Sequence, residues 1–127
     1  MAEQNILTLA GRLQSFKYAL HGIRIMMKSQ HNAWIHAAAT VVVLVLGLVL
    51  RLSAGEWCWI VLAAVSVWTA EALNTAFEFL TDIISPGFHP VAGKAKDVAA
   101  GAVLLAACGS VAIGLLVLGP HLLQELQ

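Results

Sequence analysis

Three long apolar stretches dominate a chain of only 127 residues. Each is long enough to cross a bilayer, which takes about 20 mostly apolar residues in a helix. They lie at about residues 31–50, 57–80 and 98–118. Hydrocarbon offers no partner to a bare peptide group, so each must close its hydrogen bonds within a helix. The expected fold is therefore an all-α membrane protein of three transmembrane helices, with residues 1–127 forming one domain. Only 11% of residues are charged, against roughly a quarter in an ordinary soluble domain, which excludes a water-soluble globule. Seven Lys and Arg balance seven Asp and Glu, so no basic surplus exists to displace counterions from nucleic acid. The water-facing part is too small for a separate Rossmann or P-loop domain, so any nucleotide has to bind at the membrane surface.

A segment at about residues 6–28 precedes the first span. Its Leu9, Leu13, Phe16, Leu20, Ile23 and Met27 recur at steps of four and three, while Lys17, His21, Arg24 and Lys28 fall on the other side. That pattern predicts an amphipathic helix lying flat in the headgroup layer, its basic side toward anionic lipid. The first apolar core starts beyond residue 30, which predicts no cleavable signal peptide. Four basic residues precede the first span, Arg51 alone follows it, and Lys94 and Lys96 follow the second. By the positive-inside rule the amino terminus and the loop from Thr81 to Asp97 face the cytoplasm, as in a bacterial inner membrane. Trp57 and Trp59 stand where an interfacial aromatic belt would place them. Cys58 and Cys108 each sit inside an apolar run, which predicts packing rather than chemistry. Ala102, Ala106, Ser110 and Gly114, and more briefly Ser66, Ala70 and Asn74, are small-residue stripes that let helices approach closely in lipid. Three spans give few inward faces, so a homo-oligomer is expected.

The second span carries the polar run Glu71, Asn74, Thr75, Glu78 and Asp82. At 100° per residue all five fall within about 100° of arc, and they extend over about 16 Å. A carboxylate turned to lipid would cost several kcal/mol, so intramembrane acids are seldom kept for packing alone. Two on one stripe also repel, which suits a general base and a cation site. Ser85 to Pro90 and then Lys94 to Asp97 follow directly. Carboxylates for Mg²⁺, a lysine for phosphate oxygens and a base at the membrane face are the parts phosphoryl transfer needs. Gly87, Gly93 and Lys94 imitate a P-loop, but five residues separate the glycines, Ala95 replaces Ser or Thr, and no strand precedes them. His21 and His121 read as interfacial. His31 and His36 lie on different helix faces, which disfavours a metal site between them. Of the histidines, only His89 is placed in the site, by its neighbours.

Glu71-Ala-Leu-Asn-Thr-Ala-Phe-Glu78 with Asp82 resembles the signature of the small prokaryotic integral-membrane diacylglycerol kinases, a family that includes undecaprenol kinases. His89-Pro90 and Ala95-Lys96-Asp97 through Leu104 resemble its second block, and Asn32, Ile35-His36 and Glu56-Trp57 resemble minor features. The resemblance implies a homotrimer of three-span subunits with an amino-terminal surface helix and active sites shared between subunits. It implies ATP as donor, Mg²⁺ as cofactor and a membrane lipid alcohol as acceptor. By position, Glu71 is the base that takes the proton of the lipid hydroxyl and Glu78 a metal ligand. Asn74, Lys96, Asp97, His89 and Tyr18 surround the nucleotide, and Arg24 lies near the lipid headgroup. Gln30 stands where many members carry a metal-binding glutamate, so its neutral amide should hold Mg²⁺ more weakly.

The leading expectation is an ATP-dependent lipid kinase acting on diacylglycerol or undecaprenol. His36, Glu56-Trp57 and Ala-Ala-Gly-Ala-Val-Leu lean toward the undecaprenol kinases. An oligomeric proton or ion conductor is the alternative from another class, since intramembrane carboxylates also mark proton relays. It lacks a polar path, because the Trp57 to Ala70 half of the second span offers only Ser66 and Thr69. A noncatalytic relative, suggested by Gln30, is the third reading.

Overall fold

A computed structural model of the chain describes residues 8–127. It contains four helices: α1 (Leu9–Ser29), α2 (His31–Val49), α3 (Ala54–Ile84) and α4 (Pro90–Glu125). Residues 6 and 7, the expected start of the surface helix, lie outside the described residues.

The helix ends are set by local chemistry. Thr8 caps α1 by accepting from the Gly11 amide at 3.2 Å. A single extended residue, Gln30, then separates α1 from α2, so the chain turns there without a loop. Ser53 and Glu56 form a reciprocal capping box at the start of α3, satisfying two amides that the helix itself leaves unpaired. Arg51 closes the preceding turn at φ 54°, with the Leu52 amide reaching back to the Gly47 carbonyl at 3.1 Å. At the other end, Pro90 occupies the first turn of α4, where its missing amide costs nothing.

Helices α2, α3 and α4 are the three long and apolar enough to cross a membrane. The last two outrun the expected spans. At 1.5 Å per residue α3 is about 46 Å long and α4 about 54 Å, against a hydrocarbon core of about 30 Å. The Thr81 to Asp97 segment, expected as a loop, is therefore mostly helix, and only residues 85–89 stay outside it. Charged residues end a span but not a helix, because helical backbone persists where side chains reach water. Helix α4 also passes through Pro120 instead of ending before it. Leu118 is buried and His121 meets Glu56 at 2.8 Å, so tertiary contacts on both sides of the proline hold the last turns in place.

The dominant pairing is the α3–α4 hairpin. One member of the small-residue stripe meets α3 directly: the Ser110 hydroxyl donates across the pair to the Ala63 carbonyl at 2.9 Å, whereas a Cβ on Gly114 would meet nothing within 4 Å. Helix α3 is the central element. In its most apolar stretch 33% of residues are buried, compared with 11% in α2 and 6% in α4. The buried side of α3 runs Ile60, Ala63, Val67, Glu71, Asn74, Thr75 and Thr81, so one stripe changes from apolar to polar halfway along.

At the apolar end, Leu52, Ile60 and Leu118 form a core ringed by Val43, Leu46, Trp57 and others. Trp57 packs within the chain as well: its indole lies over Gly47. Trp59 is 56% exposed. Cys58 and Cys108, expected to pack, are both free and exposed on the chain. Along α1 only Met26 is buried, and Leu9, Leu13, Phe16, Leu20 and Ile23 all point away from the rest of the chain.

Candidate functional site

The polar half of the α3 stripe begins at Glu71, 2% exposed. Its carboxylate faces α2, where His36 Nε2 lies 3.0 Å from Oε1. The contact is at ion-pair distance, yet Oε1 has no aligned hydrogen bond. The Thr75 hydroxyl donates to the Glu71 carbonyl at 2.9 Å, which ties that hydroxyl to the backbone and leaves the carboxylate free of it. One turn on, Asn74 donates from Nδ2 to Glu78 Oε1 at 3.1 Å, while its own Oδ1 is buried without a partner. Gln30, at the α1–α2 junction, donates from Nε2 to the other Glu78 oxygen.

Glu71 and Asn74 form one wall of a cavity of about 300 Å³, with Asn32 and His36 from α2 and Ala100 and Leu104 from α4 on the others. Two buried acceptor oxygens in one cavity are a costly arrangement unless something fills them. An apolar groove of about 490 Å³ adjoins it. The groove runs between α2, α3 and α4 from His36 and Thr40 to Leu118 and Leu122, and shares His36 and Ala107 with the polar cavity. Its hydroxyls are satisfied internally, Thr40 on the His36 carbonyl at 2.7 Å and Ser110 on Ala63. The wall it presents is therefore effectively hydrocarbon.

At the end of the stripe Asp82 pairs with Lys96 of α4, Nζ to Oδ1 at 2.5 Å. Both groups are well exposed, so the pair contributes at most about 1 kcal/mol and is readily exchanged for another anion. Asp97 is exposed beside it. His89 caps α4, its Nδ1 accepting from the Val91 amide at 3.2 Å, because a helix beginning on proline still has amides to satisfy. Tyr18 is 66% exposed on α1 and its hydroxyl accepts from Gln14 at 3.0 Å. Arg24 lines a shallow pocket on α1 with Lys17, Leu20 and His21. The fold thus places Glu71, Asn74 and Glu78 on one stripe of α3, brings Gln30 to Glu78 from the α1–α2 junction and Lys96 to the end of the stripe, and leaves Tyr18 and Arg24 on a separate helix.

His36 was missed by spacing arguments. Its interval to His31 speaks against a metal pair, but that test never asks what faces it across the helix interface. The available signal was polarity: α2 between His36 and Leu50 holds one other polar side chain, Thr40, and both meet α3.

Among the described residues no three His, Cys, Asp or Glu side chains converge as a metal site. The oxygen-bearing side chains grouped at Glu78 are its own carboxylate and the amides of Asn74 and Gln30, both of which donate to it from nitrogen and would offer oxygen to a cation on turning over. All are hard donors, and Mg²⁺ commonly takes one or two carboxylates and completes its shell with phosphate and water. The residues present therefore fit Mg²⁺ held jointly with a nucleotide, and do not form a protein-only cage.

The fold and this site together define a multi-pass helical membrane protein with a buried acidic site at one end of its bundle. Residues 17–118 match the family described as prokaryotic diacylglycerol kinase. The chain is 42% identical over 109 residues to an undecaprenol kinase of Bacillus subtilis, covering 86% of this chain and 89% of that protein. It is 39% identical over 113 residues to a diacylglycerol kinase of Synechocystis sp., covering 88% of this chain and 65% of that longer protein. The chain belongs to the prokaryotic diacylglycerol kinase family.

Proposed function

We propose that the chain is a lipid kinase that moves the γ-phosphate of ATP to the hydroxyl of a membrane lipid alcohol, undecaprenol or diacylglycerol. The observation that carries the mechanism is Glu71: a carboxylate only 2% exposed, on the wall of a cavity that continues into a hydrocarbon groove. A lipid alcohol has the matching shape, a single hydroxyl on an apolar tail. With the tail in the groove, the hydroxyl reaches Glu71 without either part leaving its preferred environment.

Glu71 takes the hydroxyl proton as the lipid oxygen bonds to the γ-phosphorus and the bond to the bridging oxygen breaks, releasing ADP. Glu78, with Asn74 and Gln30, would hold Mg²⁺, which would supply positive charge to the phosphate oxygens. Lys96 exchanges Asp82 for a phosphate oxygen, Asp97 and His89 flank the nucleotide at the start of α4, and Tyr18 closes over it from α1. Arg24 and its basic neighbours on α1 sit at the anionic headgroups, with the exposed Leu9, Leu13 and Phe16 dipping into lipid. The amino terminus and residues 85–89 face the cytoplasm of a bacterial inner membrane, following the basic residues. The protein acts as a homotrimer, which gives the outward apolar faces of α2 and α4 a partner.

The test is phosphorylation in mixed micelles with radiolabelled ATP and Mg²⁺, run side by side on undecaprenol and diacylglycerol. Labelled lipid from at least one acceptor, lost in Glu71→Gln, is expected. Failure with both lipids would overturn the proposal, and metal- or ATP-independent proton flux in liposomes would replace it with the conductor reading.

A further inference from the structure

The geometry points to His36 as the positioning residue for Glu71: its Nε2–H holds one carboxylate oxygen, so that the other faces the acceptor hydroxyl. This inference rests on the reading of Glu71 as base and adds a residue to it.

Three observations support it. First, His36 Nε2 stands 3.0 Å from Glu71 Oε1 although the bond is not yet aligned, a looseness common in catalytic hydrogen bonds before substrate binds. Second, helix α4 contributes only Ala100, Val103, Leu104 and Ala107 to the cavity and so offers no side-chain donor, while on the α2 wall His36 is the side chain placed 3.0 Å from the carboxylate. Third, α2 and α3 are tied together one turn along from this contact. Thr40 donates to the His36 carbonyl at 2.7 Å, and Trp68 Nε1 donates to Thr40 Oγ1 at 3.1 Å. Trp68 lies one turn from Glu71 on the same helix, so α2 and α3 are joined by two rungs in register, one fixed and one adjustable.

A buried carboxylate can rotate about its last bond, and in a water-poor site nothing else would stop it. One fixed donor restricts that rotation, as supporting partners do for metal-bound or triad histidines. Both the neutral Nε2–H tautomer and the imidazolium can donate, so the role does not depend on a change of protonation. His36 also lines the apolar groove, which puts it at the junction where the acceptor's tail meets its hydroxyl.

The experiment compares wild type, His36→Leu, His36→Gln, His36→Asn and Glu71→Gln in micelles, measuring kcat, the KM for Mg·ATP and helical circular dichroism. Loss of an orienting partner typically costs roughly 10- to 100-fold. His36→Leu should therefore lower kcat by about that factor with the KM for Mg·ATP unchanged. Gln places an amide N–H at similar reach and should restore most of kcat. Asn keeps a polar side chain but stops one methylene short, and should remain as slow as Leu. If Leu fails to fold, the Gln and Asn pair alone decides the matter. Equal kcat in Gln and Asn, or full activity in Leu, would overturn the role of His36. An active Glu71→Gln would instead refute the base assignment itself, whatever His36 does.

Discussion

Gly47→Ala adds one methyl group to the end of the bundle remote from the acidic cavity. Its Cβ would lie 2.7 Å from Trp57 Cη2, 2.9 Å from Cζ2 and 3.1 Å from Leu52 Cδ1, all inside normal carbon contact. Two effects oppose each other. Alanine is favoured over glycine in a helix by about 1 kcal/mol, whereas overpacking a rigid contact costs about 1–3 kcal/mol. The indole cannot fold away like a methionine, and it is wedged against Ile60, Leu52 and Leu118, so the steric cost should win by about 1 kcal/mol. For a chain of this size that is a fall in Tm of about 3–6 °C. Thermal melts by circular dichroism in one detergent measure it. Trp57→Phe removes the two nearest atoms, so Gly47→Ala placed in that background should become neutral or stabilising. A Gly47→Ala protein as stable as wild type, or an equal loss in both backgrounds, would refute the packing described for Trp57.

Two further predictions follow from particular contacts. Ser53→Ala removes half of the capping box at α3 and should lower stability by about 1 kcal/mol, read in the same melts, while kcat stays unchanged because the cap is at the opposite end from Glu71. Gln30→Glu restores a charge beside Glu78 and should lower the Mg²⁺ concentration giving half-maximal rate, measured by metal titration at fixed ATP; an unchanged titration would place Gln30 outside the metal shell.

Sequence patterning was enough to locate the spans, because lipid allows only continuous helices and marks them by composition. The polar stripe was equally legible, since 3.6-residue periodicity puts Glu71, Asn74 and Glu78 on one face whatever they touch. Helix ends were not. The hydrophobic boundary at Val98 reports where lipid stops, while the helix starts at Pro90 because His89 caps it. The depth of contacts was also hidden. Trp57 reads as interfacial from its neighbours in sequence, yet Gly47 opposite it leaves a space that only a large ring fills. His36 illustrates the same gap, for its partner is on another helix and no spacing rule on α2 could reveal it. The contact between Gln30 and Glu78 lies between these cases: family resemblance placed the two together, and the one-residue α1–α2 junction gives the physical means.

The central claim is that Glu71 acts in the chemical step and not in holding the nucleotide. Measuring Mg·ATP binding by calorimetry and lipid phosphorylation by single turnover on the same preparations of wild type and Glu71→Gln separates the two. The account predicts that Glu71→Gln binds Mg·ATP with wild-type affinity and transfers phosphate at least about 100-fold more slowly. Transfer at the wild-type rate, or loss of nucleotide binding in parallel with activity, would contradict it.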